Sequence, residues 1–253
     1  MGHPTLQTLQ IALLGNFRLT YDDRPVTGVN SERLQSLLAY LVLYRHSPQP
    51  RQRLAFYFWP DSGEAQARTN LRRELHHLRQ ALPDADRFVQ SDAKTMQWRQ
   101  DAPFTLDVAD FEIAIAQAED AERRSDRAGV RAALEKAAQL YQGDLLPSCY
   151  DDWVEPVREQ LQQTCIRTLE QLIRLLEEQQ DYCVAIRYAQ QLLRINSLHE
   201  ATYCSLMRLH ALNGDRASAL RVYQQCMDVL QRELDVEPSR TTCEVYNWVL
   251  TNQ

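Results

Sequence analysis

The side chains with the clearest chemistry lie in an arginine-rich segment, Glu64–Leu82. At about 100° per residue its leucines form one narrow apolar stripe, so the segment predicts a helix with one face in a core. Between positions 66 and 80 it carries four arginines and a single acid, Glu74. The planar guanidinium of arginine can donate two parallel hydrogen bonds to a guanine edge or to a phosphate. This pattern predicts a recognition helix for nucleic acid.

The start of the preceding predicted helix offers further candidate DNA contacts, because its amides and arginines can donate hydrogen bonds to a phosphate. A lysine in a later turn is another candidate. The candidates are Arg51, Arg53, Arg68, Thr69, Arg72, Arg73, His76, His77, Arg79 and Lys94. Adjacent histidines on a helix point in different directions, so we expect no metal site at His76 and His77. By itself the pattern also fits a solvated helix face, and the surrounding elements must decide.

Those elements follow the order of a winged helix-turn-helix. Short strands are predicted at 11–14 and 17–21, with a further extended piece near Val26. Asn30 or Ser31 caps a first helix that stops near residues 46–48, and a second runs from about 50–52 to 59–60. After the arginine-rich helix, residues 87–90 and 95–98 flank a turn at 91–94 and predict a β-hairpin. In this order the groove-entering helix is the third one.

The remainder of the chain predicts a second, all-helical domain. Pro103 lies in a plausible boundary, and everything after it is expected to be helical. We place the helices at 107–125, 127–142, 152–179, 182–195, 198–213, 216–234 and 239–250. Segments 181–191 and 215–225 are similar and start 34 residues apart, the tetratricopeptide period, and a looser copy starts at Ala133. The predicted domains are 1–101 and 102–253.

Composition agrees with two domains that have different partners. The net charge is −6, but residues 1–101 carry 13 basic and 10 acidic residues, whereas residues 102–253 carry 15 and 24. The sequence contains no glycine-rich phosphate loop, and no run of eighteen apolar residues predicts a membrane span. The N-terminus lacks the pattern of an export signal. The six cysteines include no C-x-x-C pair, and all are expected in helices, which favours a reducing cytoplasm. We expect no metal and no cofactor.

Several motifs in the expected order carry a family resemblance. Residues 33–41 (RLQSLLAYL), 54–61 (LAFYFWPD) and 67–82 (ARTNLRRELHHLRQAL) resemble the OmpR/PhoB-type DNA-binding domain of the Streptomyces antibiotic regulatory protein family. Residues 140–146 (LYQGDLL), 151–154 (DDWV), 177–182 (EEQQDY) and 233–239 (ELDVEPS) resemble the bacterial transcriptional activator domain that follows it in that family. The fold expected is thus α+β, an N-terminal winged helix-turn-helix followed by all-α, tetratricopeptide-like repeats.

The resemblance implies an activator that binds repeated promoter elements in double-stranded DNA and contacts RNA polymerase holoenzyme. We expect such a protein in the cytoplasm, associated with the nucleoid. The resemblance leaves open a homodimer on repeated sites, a small-molecule effector, and whether the chain is a compact two-domain member or part of a longer protein. An enzyme is not expected, because no nucleophile motif or metal-ligand spacing occurs and adjacent acids such as Asp151 and Asp152 suit a helix start. The alternative is a repeat-based protein scaffold or ligand-sensing adaptor that does not bind DNA.

Overall fold

A small sheet opens the computed structural model, which describes residues 8–251. Its strands are β1 (Leu9–Ala12), β2 (Arg18–Tyr21) and β3 (Arg24–Pro25). β1 and β2 are antiparallel, as are β2 and β3. Asp22 and Asp23 both have left-handed φ values, 50° and 59°, which the tight β2–β3 turn requires. The first strand, β1, starts two residues before the strand predicted at 11–14.

Three helices follow: α1 (Glu32–Leu43), α2 (Arg51–Phe58) and α3 (Glu64–Ala81). Ser31 caps α1, because its side chain accepts a hydrogen bond from the Leu34 amide. The helices bury leucines at helical spacing against one another, with Leu37, Leu54 and Leu78 almost fully excluded from solvent. The third helix is thereby held with one apolar face inward, as its sequence predicts.

A β-hairpin forms the wing after α3, with one correction to its predicted start. Its strands are β5 (Val89–Ser91) and β6 (Thr95–Trp98), and β6 also pairs with a two-residue strand, β4 (Gln49–Pro50), just before α2. The prediction that Arg87 and Phe88 begin the hairpin was wrong, because they end a short helix, α4 (Ala85–Phe88). That turn packs Phe88 against Trp98, with ring centroids 5.7 Å apart.

The chain after Pro103 does not turn helical at once, so that expectation was wrong. Residues Phe104–Leu106 form β7, which pairs in parallel with β1 and completes a sheet of order β3-β2-β1-β7. The next helix is α5 (Asp107–Arg123). The carboxylate of its first residue, Asp107, accepts hydrogen bonds from the amides of Leu13 and Leu14 at 2.7 and 2.8 Å. These two bonds tie the residues that follow β1 to the start of α5.

The chain divides into two compact units that do not follow its linear order. One comprises the chain up to Glu112 together with Leu140–Leu161, and the other comprises Ile113–Gln139 and the described residues from Gln162 onward. In the first unit, Leu14 bridges to Leu145, and the Gly15 amide donates to the Asp144 carbonyl at 2.9 Å. The predicted boundary between residues 101 and 102 stays a prediction.

The remaining helices are long and regularly spaced. They are α6 (Arg127–Leu140), α7 (Val154–Glu178), α8 (Tyr182–Ile195), α9 (Glu200–Leu212), α10 (Arg216–Leu234) and α11 (Arg240–Thr251). The matched segments of the repeat start α8 and α10, each after a residue of left-handed φ, Gln180 and Gly214. The repeated alanines Ala185 and Ala219 are fully buried, which lets neighbouring helices approach closely.

The cysteines lie mostly in these helices. Cys165, Cys204 and Cys226 are buried, as expected of small apolar residues, whereas Cys183 is exposed. Cys149 lies in the turn before α7, so the expectation that all six are helical was wrong. Among residues 8–251, no group of acids, histidines and cysteines could hold a metal ion, and no helix is long and apolar enough to cross a membrane.

Candidate nucleic-acid interface

The outer face of α3 carries most of the predicted contacts. The helix buries Ala67, Leu71, Leu75 and Leu78. Its exposed candidates are Arg68, Thr69, Arg72, Arg73, His76, His77 and Arg79. The Thr69 hydroxyl donates to the Ala65 carbonyl at 2.9 Å, so it faces a ligand mainly as an acceptor.

The acids around this face leave its charge positive. Glu74 is only 8% exposed and lies on the buried side, 3.9 Å from Arg73 and 3.8 Å from His77. Arg68 pairs with Glu64 one turn earlier at 2.5 Å, and Arg79 lies 3.3 Å from Asp86. Such exposed pairs are weak and exchange readily for a phosphate.

Arg51 connects the start of α2 to the wing. Its guanidinium donates to the Ser91 hydroxyl at 2.9 Å and to the Asp92 carbonyl at 3.1 Å. Its amide donates to the Lys94 carbonyl at 2.9 Å. Burial lowers the pKa of Arg51, and the nearby Arg72 and Arg79 lower it further. Arg51 therefore positions the hairpin and also adds to a local concentration of positive charge.

The wing turn is held by one carboxylate. Asp92 accepts hydrogen bonds from the amides of Lys94 and Thr95, both at 2.7 Å, and from the Thr95 hydroxyl at 2.9 Å. These bonds lower the pKa of Asp92 below its usual value. The Lys94 side chain is left exposed at the tip of the hairpin. Sequence reasoning missed the roles of Ser91 and Asp92, although Asp92-x-x-Thr95 is a recognisable turn pattern.

Arg53 differs from the other candidates in its surroundings. It lies two residues after Arg51 on α2, and its guanidinium stacks 5.2 Å from the Tyr57 ring centre and donates to the Tyr57 hydroxyl at 3.0 Å. This hydrogen bond raises the pKa of Arg53, and the electrostatic influence of Tyr40 adds to the shift. The structure thus joins Arg51 to the wing and places Arg53 beside the Tyr57 ring.

A helical trio followed by a β-hairpin, with an arginine-bearing third helix, defines the first part of the chain as a winged helix-turn-helix unit. The second part is a helical-repeat unit. Residues 106–250 match the family described as Bacterial transcriptional activator domain, so the chain belongs to that family. The family resemblance and the fold class predicted from the motifs are both confirmed.

Curated relatives are longer than this chain. Regulatory protein AfsR of Streptomyces griseus is 24% identical over 246 residues, covering 97% of this chain and 25% of that protein. Regulatory protein AfsR of Streptomyces coelicolor is 25% identical over 230 residues, covering 91% and 23%. The chain spans about a quarter of the length of these relatives.

A solved structure shares the fold. Mycobacterium tuberculosis EmbR, in complex with a low affinity phosphopeptide, has a TM-score of 0.74 at 18% identity. The match covers 98% of this chain and 66% of the EmbR chain. At this identity the likeness establishes the fold and leaves the function to the residues of this chain.

Proposed function

We propose that this chain is a sequence-specific transcription regulator that binds double-stranded promoter DNA and acts as an activator. In this proposal α3 enters the major groove with Arg68, Thr69, Arg72, Arg73 and His76 toward base edges or phosphates. Lys94 on the wing reaches the adjacent backbone. Membership of an activator-domain family supports the assignment to activation.

The observation that carries the proposal is the charge of the outer face of α3. Its arginines are all exposed: Arg68, Arg72, Arg73 and Arg79. Glu74, the one acid between positions 66 and 80, is 8% exposed and lies on the buried side. A row of exposed guanidinium groups on the third helix of a winged helix-turn-helix suits the phosphates and base edges of a DNA groove.

The acidic second part of the chain suits a partner other than DNA. Residues 102–253 carry nine more acids than bases, so DNA phosphates repel this part of the chain. RNA polymerase holoenzyme is the partner that an activator of this family would recruit, and we assign that contact to the proposal. The protein would then act in the cytoplasm, on the nucleoid.

Titration of the full chain onto a duplex from its own promoter region tests DNA binding. We expect saturable binding that weakens steeply with salt, because each neutralised phosphate adds about 0.9 to the slope of log K against log[salt]. Arg72→Ala should weaken binding at least tenfold. Arg194→Ala removes the same charge from an exposed position on α8 and is the matched control.

The result also separates DNA binding from the scaffold alternative. Equal affinity of the two variants would show that α3 is not the recognition helix. No saturable binding at low salt by the unaltered chain would favour a repeat-based protein scaffold.

A further inference from the structure

Asp151, in the segment just before α7, forms hydrogen bonds with two side chains of α1. One carboxylate oxygen accepts a hydrogen bond from Arg33 at 2.8 Å, and the other accepts one from the Ser36 hydroxyl at 2.5 Å. The Trp153 indole N–H donates to the same Ser36 oxygen at 3.1 Å. Ser36 is 1% exposed and Trp153 is 9% exposed. A buried hydroxyl that depends on two partners makes this contact specific.

Arg33 also contacts residues at the end of α2, next to the turn that precedes α3. Its guanidinium lies 5.9 Å from the centre of the Phe58 ring and 5.7 Å from the Trp59 ring. Trp59 is the C-cap of α2, and its carbonyl accepts the Ser62 amide at 3.2 Å. Arg33 therefore contacts the residues that end α2 and lead into α3.

The start of α3 has no side-chain cap and is tied to α2 by an exposed hydrogen bond from the Gln52 side-chain amide to the Glu64 carboxylate at 3.1 Å. Its N-cap is Gly63, which has no side chain to accept a capping hydrogen bond, and the residues from Pro60 to Gln66 are mostly exposed. Arg68 and Thr69 follow within the next turn. Besides this bond and the burial of Ala67, the turn that holds Trp59 sets where α3 begins, so we expect a change in the position of Trp59 to move these two candidate contacts.

We infer that Asp151 is a positioning residue for DNA recognition: it holds Arg33 against the α2–α3 turn and so sets where α3 begins. The inference rests on the proposed function, because it names a control on the same recognition helix. Asp151 lies within residues 106–250, the activator-domain match, yet belongs to the unit that contains α3. A residue of the activator domain thus shapes the DNA-binding surface without touching DNA.

The sign of the effect distinguishes positioning from bulk electrostatics. Asp151→Asn removes one negative charge, which on its own strengthens binding to a polyanion. Loss of the Arg33 pair acts in the opposite direction, because Arg68 and Thr69 lose their fixed placement. Asp152→Asn makes the same charge change one residue away at an exposed position and isolates the electrostatic part.

The test uses the full chain and measures both duplex affinity and amide hydrogen exchange. We expect Asp151→Asn to weaken binding at least fivefold and to speed exchange at residues 59–69, while Asp152→Asn stays within twofold in both. Arg33→Met should speed exchange at the same residues. The double variant Asp151→Asn/Arg33→Met should bind no more weakly than Arg33→Met alone, because both changes break one link.

Circular dichroism at the assay temperature is the control that each variant is folded, so that a loss of stability is not mistaken for a loss of positioning. Two outcomes overturn the inference. One is affinity for Asp151→Asn equal to or above that of Asp152→Asn. The other is unchanged exchange at residues 59–69 in both Asp151→Asn and Arg33→Met. If the unaltered chain does not bind the duplex, the proposed function fails, and the exchange measurement still decides whether Asp151 holds the turn.

Discussion

Replacing Arg51 separates its two roles, as a brace for the wing and as a positive charge. Arg51→Ala removes both, whereas Arg51→Lys keeps the charge and loses the planar group that reaches Ser91 and Asp92 together. If the brace matters, the two variants should resemble each other. If only the charge matters, Arg51→Lys should resemble the unaltered chain.

The expected size follows from the two side-chain hydrogen bonds. Each contributes about 0.5–1.5 kcal/mol net, so their loss weakens the local anchoring of the hairpin by about 2 kcal/mol. That difference is about thirtyfold in the population of the locally open form. The Arg51 amide still donates to the Lys94 carbonyl, so the strand pairing persists and the effect stays local.

Amide hydrogen exchange at residues 91–95 measures the opening, and the salt dependence of duplex binding measures the consequence. Both variants should exchange about thirtyfold faster there, and the slope of log K against log[salt] should fall by about one as Lys94 loses its fixed position. Arg99→Lys, at an exposed site after β6, is the control. Native exchange at residues 91–95 in Arg51→Lys would refute the brace.

Three further results are expected. Asp107→Ala should lower the free energy of unfolding by about 3 kcal/mol in urea titrations, because the amides of Leu13, Leu14 and Val108 lose their acceptor, whereas Asp110→Ala should cost far less. A thiol reagent at pH 8 should modify exposed Cys183 and spare Cys165, whose pKa burial raises to about 12; mass spectrometry showing equal modification would contradict this. The carboxyl of Asp92 should titrate below 3.8 by NMR, because backbone amides lower its pKa. The stability of the wing turn should thus be present above pH 3.8 and fall as pH drops through the lower native value.

Local patterns predicted the helices well. Helices at 182–195 and 216–234 were predicted with the bounds that the structure has, because the turns ending at Asp181 and Asp215 punctuate a strong apolar period. The arginine-rich helix α3 was equally visible, since its leucine stripe and its arginines lie within one segment. In each case neighbours in sequence supply the decisive contacts.

Non-local contacts account for the strands and the Arg51 brace that the sequence analysis missed. β7 is three residues long and forms because β1, almost a hundred residues earlier, offers an unpaired edge. β4 has two residues and depends on β6 in the same way. The brace from Arg51 to the wing likewise requires the hairpin to return to α2. Such short strands and distant pairs leave no periodic signal in the sequence.

The residues that match the family and the compact unit that contains α3 have different limits, and this difference bears on the proposed DNA binding. The match begins at residue 106, whereas residues 140–161 pack with the winged helix. The Leu146 amide donates to the Leu13 carbonyl, and Asp151 pairs with Arg33. A segment ending at residue 101 would therefore lose β7, the Asp107 carboxylate and the support beneath α1. In the proposed function, recognition of DNA by α3 therefore depends on both parts of the chain.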